Sequence, residues 1–211
     1  YKLTDTLSLT GGMRYSWDKV SACGGAIGTT YVTDSVCRTI AGNGNSTDGI
    51  GVVANKGAAP SWTVGLDWKV QPNLLLYVVS RRGYRGVNVN TPLFETPYTT
   101  GGNVCGNDGM SACPNLRPFQ KTGKETLTDV EVGEKWDFNV SGARGRITTA
   151  FYYSKYKHVL QFLNLQGLIP SNATDQPTNA SLGVNAADLT IYGAEIEAGV
   201  GPSRNLTVSF N

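Results

Sequence analysis

The chain has 211 residues, with 18 Lys plus Arg against 16 Asp plus Glu, and the resulting net charge of +2 speaks against a nucleic-acid partner. No window approaches eighteen consecutive apolar residues, which excludes a transmembrane helix. It does not exclude a membrane barrel, whose strands look only half hydrophobic.

From Tyr1 to Asp18 the side chains alternate cleanly. Leu3, Leu7, Leu9, Met13, Tyr15 and Trp17 share one face, and Lys2, Thr4, Thr6, Ser8, Thr10, Arg14 and Ser16 share the other. Asp5 interrupts the apolar face near its start. A period of two over this length predicts a strand, and one longer than the usual five or six residues of a soluble strand. It suffices for a tilted bilayer crossing, which takes about 9–11 residues.

Between Lys19 and Pro60 the period vanishes into Gly, Asn, Ser and Thr, so this stretch reads as a long loop. The stretch Ser61 to Arg85 then organises the chain. Trp62, Val64, Leu66 and Trp68 alternate with Thr63, Gly65, Asp67 and Lys69. A turn at Val70-Gln71-Pro72-Asn73 follows, and a second apolar strand climbs from Leu74 to Val79. The aromatic residues near the strand ends are placed as in the girdles of a membrane barrel. A second long loop runs from Gly83 to Lys124.

Thr126 to Trp136 is the fourth strand, with Val130, Val132 and Trp136 on one face and Glu134 breaking it. A turn at Gly142-Ala143-Arg144-Gly145 leads to a fifth strand, Arg146 to Phe162, and a polar connection follows from Leu163 to Asn185. A sixth strand spans Ala186 to Gly199, and a turn at Gly201-Pro202-Ser203 precedes a seventh with Leu206, Val208 and Phe210. Long connections follow strands one, three and five, and short ones follow two, four and six. This alternation predicts an all-β, antiparallel transmembrane β-barrel segment of about seven strands, with short periplasmic turns and long extracellular loops. A β-sandwich has no reason to keep its long loops at one end. Seven strands are also an odd number for a closed antiparallel ring. The chain starts and stops within apparent strands, so residues 1–211 are expected to be part of a larger barrel.

The four cysteines, Cys23, Cys37, Cys105 and Cys113, lie in the first two long loops and allow three connectivities. The economical pairing is Cys23–Cys37 and Cys105–Cys113, each within one connection, and disulfides imply an oxidising compartment. Zinc is a poor alternative, because neither spacing is Cys-x-x-Cys and His158 is the single histidine. No cofactor or catalytic group is expected. The carboxylates Glu195 and Glu197 share the wet face of one strand, where acids line any barrel lumen, and the histidine lies far from any nucleophile motif.

Four successive stretches carry a family resemblance: Ser80-Arg81-Arg82-Gly83-Tyr84-Arg85-Gly86; Glu125 with Val130-Glu131-Val132-Gly133-Glu134-Lys135; Phe151-Tyr152-Tyr153 with Tyr156; and Ile191-Tyr192-Gly193-Ala194-Glu195-Ile196-Glu197. In order and spacing they resemble the signatures of TonB-dependent outer-membrane receptors, although Lys124 stands where that family usually has Pro. The resemblance implies a 22-stranded barrel with an N-terminal plug, neither of which this chain contains in full. It also implies import of siderophore-like or other large nutrients across the bacterial outer membrane. The implied partners are outer-membrane lipid and lipopolysaccharide, the TonB energy-coupling complex through the plug, and a ligand such as an iron chelate. A passive or structural barrel (a porin, an adhesin or a surface-layer anchor) is the alternative.

From Arg81 to Lys124 six cations face two acids, Glu95 and Asp108. Arg81, Arg85 and Arg117, with Tyr84 nearby, are therefore candidates for a basic vestibule that attracts an anionic solute. Arginine suits this because its planar fork holds oxygens in pairs. Cations answering lipid phosphates at the outer rim are the competing reading of the same charge.

Overall fold

A computed structural model describes residues 1–24, 51–90, 108–112, 114–164, 181–203 and 206–210. Nine strands occur among them: β1 (Leu7–Gly24), β2 (Gly51–Gln71), β3 (Leu74–Arg85), β4 (Asn88–Val89), β5 (Lys121–Thr122), β6 (Glu125–Val140), β7 (Ala143–Asn164), β8 (Ser181–Ser203) and β9 (Leu206–Phe210). Seven form one antiparallel sheet in the order β1-β2-β3-β6-β7-β8-β9, and β4 and β5 pair separately. β1 and β9 are the edges of this sheet. No described helix is long and apolar enough to cross a membrane.

The register joins the sequence alternations into two continuous faces. One row of paired residues reads Leu9, Leu66, Val78, Val132, Phe151 and Ala194 across six strands. Another reads Trp68, Leu76, Glu134, Thr149 and Ile196. Met13, Val64, Phe151 and Ile196 on this face are all exposed, as expected for a wall that meets hydrocarbon and not a second sheet. We call it the outward face. Aromatic pairs mark its two ends: Tyr15 and Trp17 with ring centroids 4.9 Å apart, and Trp136 and Phe138 at 5.4 Å.

The strands differ from the sequence expectation at their ends. β1 begins at Leu7 because the Thr4 hydroxyl accepts from the backbone N–H groups of Thr6 (3.3 Å) and Leu7 (3.0 Å), which holds the preceding residues in a turn. Leu3 and Asp5 are therefore outside the strand, and the apparent break at Asp5 disappears. β1 then continues to Gly24, β2 starts at Gly51, and β8 starts at Ser181, all inside stretches that read as loop. The turn between β6 and β7 is Ser141-Gly142, not Gly142 to Gly145. Both residues have positive φ (51° and 86°), as a two-residue hairpin turn of right-handed twist requires.

The opposite, inward face carries the residues that lock neighbouring strands together. Tyr77 lies directly opposite Gly133, and Tyr152 opposite Gly193. A Cβ at Gly133 would clash with the Thr149 carbonyl oxygen and stand 2.6 Å from the Tyr77 hydroxyl oxygen, and one at Gly193 would stand equally close to that of Tyr152. Each ring covers the backbone that glycine leaves bare, as aromatic side chains do over sheet glycines. Gly133→Ala is expected to destabilise the full-length protein by about 1–3 kcal/mol through overpacking. Gly11→Ala, which meets nothing within 4 Å, should change stability far less. Urea titration in lipid vesicles compares the two, and equal effects would refute the Tyr77–Gly133 packing.

Candidate functional site

The inward face at the long-loop end gathers the ionisable residues. Arg81 in β3 faces Asp129 and Glu131 in β6. Its Nε and Nη2 donate to Asp129 at 3.0 and 2.7 Å, and Nη2 also donates to Glu131. Tyr77 donates its hydroxyl proton to Glu131 Oε1 at 2.8 Å. Four residues further along β3, Arg85 pairs with Glu125 Oε2 at 2.9 Å. Glu125 is only 3% exposed. Its Oε1 also accepts from the Leu160 N–H (2.6 Å) and the Tyr156 hydroxyl (3.2 Å), so one carboxylate ties β3, β6 and β7 together. Tyr84 donates to Asp18 of β1.

Of the four residues singled out in the sequence, Arg81, Tyr84 and Arg85 lie in β3 within this network. Arg117 opens a short 3-10 turn, Arg117–Phe119, and its side chain lies outside the described residues. The candidate pairings Cys23–Cys37 and Cys105–Cys113 fall outside them too; Cys23 is placed only as backbone at the end of β1. The local excess of positive charge counted along the chain is not the charge of the site. The sheet brings Glu125, Asp129 and Glu131 onto these arginines and Asp18 onto the Tyr84 hydroxyl, and none of the four acids lies between Arg81 and Lys124. No segment-wise count could find these acids, although alternation did put Asp129 and Glu131 on the wet face.

Acids and arginines are not equally exposed. The side chains of Arg81 and Arg85 are 46% and 63% exposed, whereas those of Asp129, Glu131 and Glu125 are 16%, 22% and 3% exposed. The carboxylates lie beneath and orient the guanidinium groups, which keep further N–H donors turned to the open side. A cavity of about 250 Å³ adjoins them, lined by Asp18, Arg85, Thr122, Gly123, Glu125 and Leu160 among others.

A strap crosses this face above the cavity. It consists of β4, β5 and the adjoining residues, and three asparagines of otherwise unremarkable sequence context fix it. Asn55 of β2 donates to the carbonyls of Asn88 and Thr122, each at 2.8 Å. Asn90 exchanges two hydrogen bonds with the backbone of Gly183 in β8, at 2.7 and 3.0 Å. Asn185 of β8 accepts from the Gly123 N–H and donates to the His158 carbonyl at 2.6 Å. Val87, Val89, Leu116, Val159 and Leu182 are buried around the strap and make its small core. Sequence reasoning missed this strap, because its strands have two residues each and its partners lie far along the chain. Among the described residues no group of His, Cys, Asp and Glu has the arrangement of a metal site.

The fold has counterparts among solved structures. The hemophore receptor HasR of Serratia marcescens, solved as a double mutant with its hemophore HasA and heme, superposes with a TM-score of 0.51 at 19% identity over 93% of this chain. The copper transporter OprC superposes with a TM-score of 0.55 at 14% identity over 98% of this chain. The chain spans 29% and 26% of the lengths of those two proteins. No curated protein sequence matches it significantly. The sequence matches the family described as TonB dependent receptor-like, beta-barrel over residues 1–211. With an antiparallel sheet that is apolar on one face and charged on the other, the chain belongs to the TonB-dependent receptor β-barrel family.

Proposed function

We propose that these strands form part of the wall of an active importer in the bacterial outer membrane, driven through the TonB complex by a plug domain. Arg81, Arg85 and Tyr84, with Arg117 at the base of the adjoining loop, form part of the vestibule that receives an anionic solute. The observation that carries this reading is the layering of the site: well-exposed guanidinium groups supported from beneath by less exposed carboxylates, of which Glu125 is buried. Such groups are held in place before a ligand arrives, so little conformational freedom is lost on binding. The solute class is an iron chelate of the siderophore type or a related metal complex. The heme and copper named for the two structural neighbours support a metal-containing cargo.

Neutralising Arg81, Arg85 and Arg117 together to Gln in the full-length protein is expected to slow uptake of an anionic ferric chelate by roughly ten-fold at low ionic strength. The difference should shrink as salt is raised, because the Debye length falls to about 8 Å at physiological ionic strength. Uptake that is unchanged at every ionic strength would remove these residues from transport.

A further inference from the structure

The charged face carries an apolar patch where polar side chains are expected. The lumen side of a membrane barrel wall is polar as a rule, and no lipid reaches it. Leu127, Leu189 and Ile191 nevertheless point inward, on the side of Asp129, Glu195 and Glu197, and are 40%, 44% and 45% exposed. Their places follow from the register. One row of paired residues reads Gly83, Leu127, Tyr156 and Leu189 on β3, β6, β7 and β8. The next row towards the short turns reads Arg81, Asp129, Ser154 and Ile191. The three apolar residues therefore flank Tyr156 on a patch about 10 Å wide and 7 Å tall, two strand spacings by one two-residue step.

The patch is set between charges. On β6, Leu127 lies between Glu125 and Asp129, and opposite it on β3, Gly83 lies between Arg85 and Arg81. The two guanidinium groups reach across to β6, where Arg81 pairs with Asp129 at 2.7 Å and Arg85 with Glu125 at 2.9 Å. An uncharged gap remains between the two ion pairs. Its floor is bare, because nothing lies within 4 Å of the place a Cβ on Gly83 would take. A glycine inside a strand gives up packing and lets another group approach the backbone closely. Arg81 and Arg85 are four residues apart, about 13 Å along the strand, which leaves room for a ring between them.

We propose that Gly83, Leu127, Leu189 and Ile191 form an apolar shelf for a flat aromatic body, so that the solute received by Arg81 and Arg85 is an aromatic anion and not a wholly hydrophilic chelate. Charge complementarity selects this occupant. An apolar surface held between two exposed cations fits a ligand whose apolar body is flanked by acidic groups, and guanidinium planes also stack on aromatic faces. The inference rests on the vestibule of the proposed function and deepens it by naming the solute class.

The chromium(III) tris-catecholate and tris-oxalate complexes test this on the full-length protein, because both are substitution-inert trianions and only the first carries aromatic rings. Equilibrium dialysis in detergent micelles, corrected with protein-free micelles, gives both affinities. The tris-catecholate is expected to bind roughly ten-fold tighter, the effect of removing about 55 Å² of apolar surface from water. Leu127→Asn with Ile191→Asn should bring that ratio near one by weakening the tris-catecholate. Gly83→Val should do the same by filling the floor, and its β-branched side chain suits a strand, so thermal stability should not fall. Leu127→Met should keep most of the preference, whereas Arg81→Gln with Arg85→Gln should weaken both trianions alike. Equal affinities of the unaltered protein for the two complexes would overturn the shelf and leave the basic vestibule standing. Binding of neither would overturn the vestibule and the shelf with it. If the Asn substitutions lowered the melting temperature while the ratio stayed ten-fold, the patch would be packing for the plug domain and not a ligand shelf.

Discussion

Arginine in place of Leu66 is expected to lower the folding stability of the full-length protein in lipid vesicles by about 2–4 kcal/mol, the cost of a cation near the bilayer midplane. Leu66 stands between Leu9 and Val78 in a row with Val132, Phe151 and Ala194, none of which offers a counter-charge or hydrogen bond. The nearest aromatic girdles lie further along the strands in both directions, so extension of the side chain reaches water from neither side. Thr10→Arg is the matched control. Thr10 is paired with Gly65 on the inward face, where an added arginine stays solvated, and its cost should be well under half as large. Denaturant titrations that gave equal losses for the two variants would show that the faces are wrongly assigned.

The second large effect is expected at Glu125. Replacing it with Ala removes the counter-ion of Arg85 and leaves the Leu160 N–H without an acceptor. Breaking a fully buried ion pair costs about 3–5 kcal/mol. Here the Arg85 side chain remains 63% exposed, and water screens and solvates it, so about 2–3 kcal/mol is expected. Glu125→Gln keeps an oxygen for the Leu160 N–H and should lose only about 1 kcal/mol. Double substitution with Arg85→Ala should recover part of the Glu125→Ala loss, because the unpaired cation is then gone. If Glu125→Ala and Glu125→Gln had the same small effect, the carboxylate would not be what joins β3, β6 and β7.

These two residues differ in how far the sequence alone identifies their roles. Leu66 belongs to a strict alternation with Trp62, Val64 and Trp68, and its orientation follows from the period of a pleated strand. Glu125 precedes the alternating run and looks like a loop residue at the end of a polar stretch. Its burial comes from Tyr156, Leu160 and Arg85, which lie on other strands and are brought close only by the register.

The sequence by itself determined the strand count of the main sheet, the side of each strand that meets lipid, and the alternation of short turns with long connections. All three follow from local rules: two-residue periodicity, turn chemistry, and the different solvents on the two faces of a membrane wall. The tertiary structure decided where the strands end and what the charges do. In β1, β2 and β8 the hydrophobic period stops while the backbone ladder continues to Gly24, from Gly51 and from Ser181, because the ladder's hydrogen bonds join backbone groups and need no apolar side chain. A basic stretch read along the chain likewise became two different things. Neighbours in sequence point to opposite faces, so Arg81 joined the acids of β6 inside while Arg82 was left against Trp62 outside. Only cross-strand register, which is a property of the folded sheet, brings such partners together.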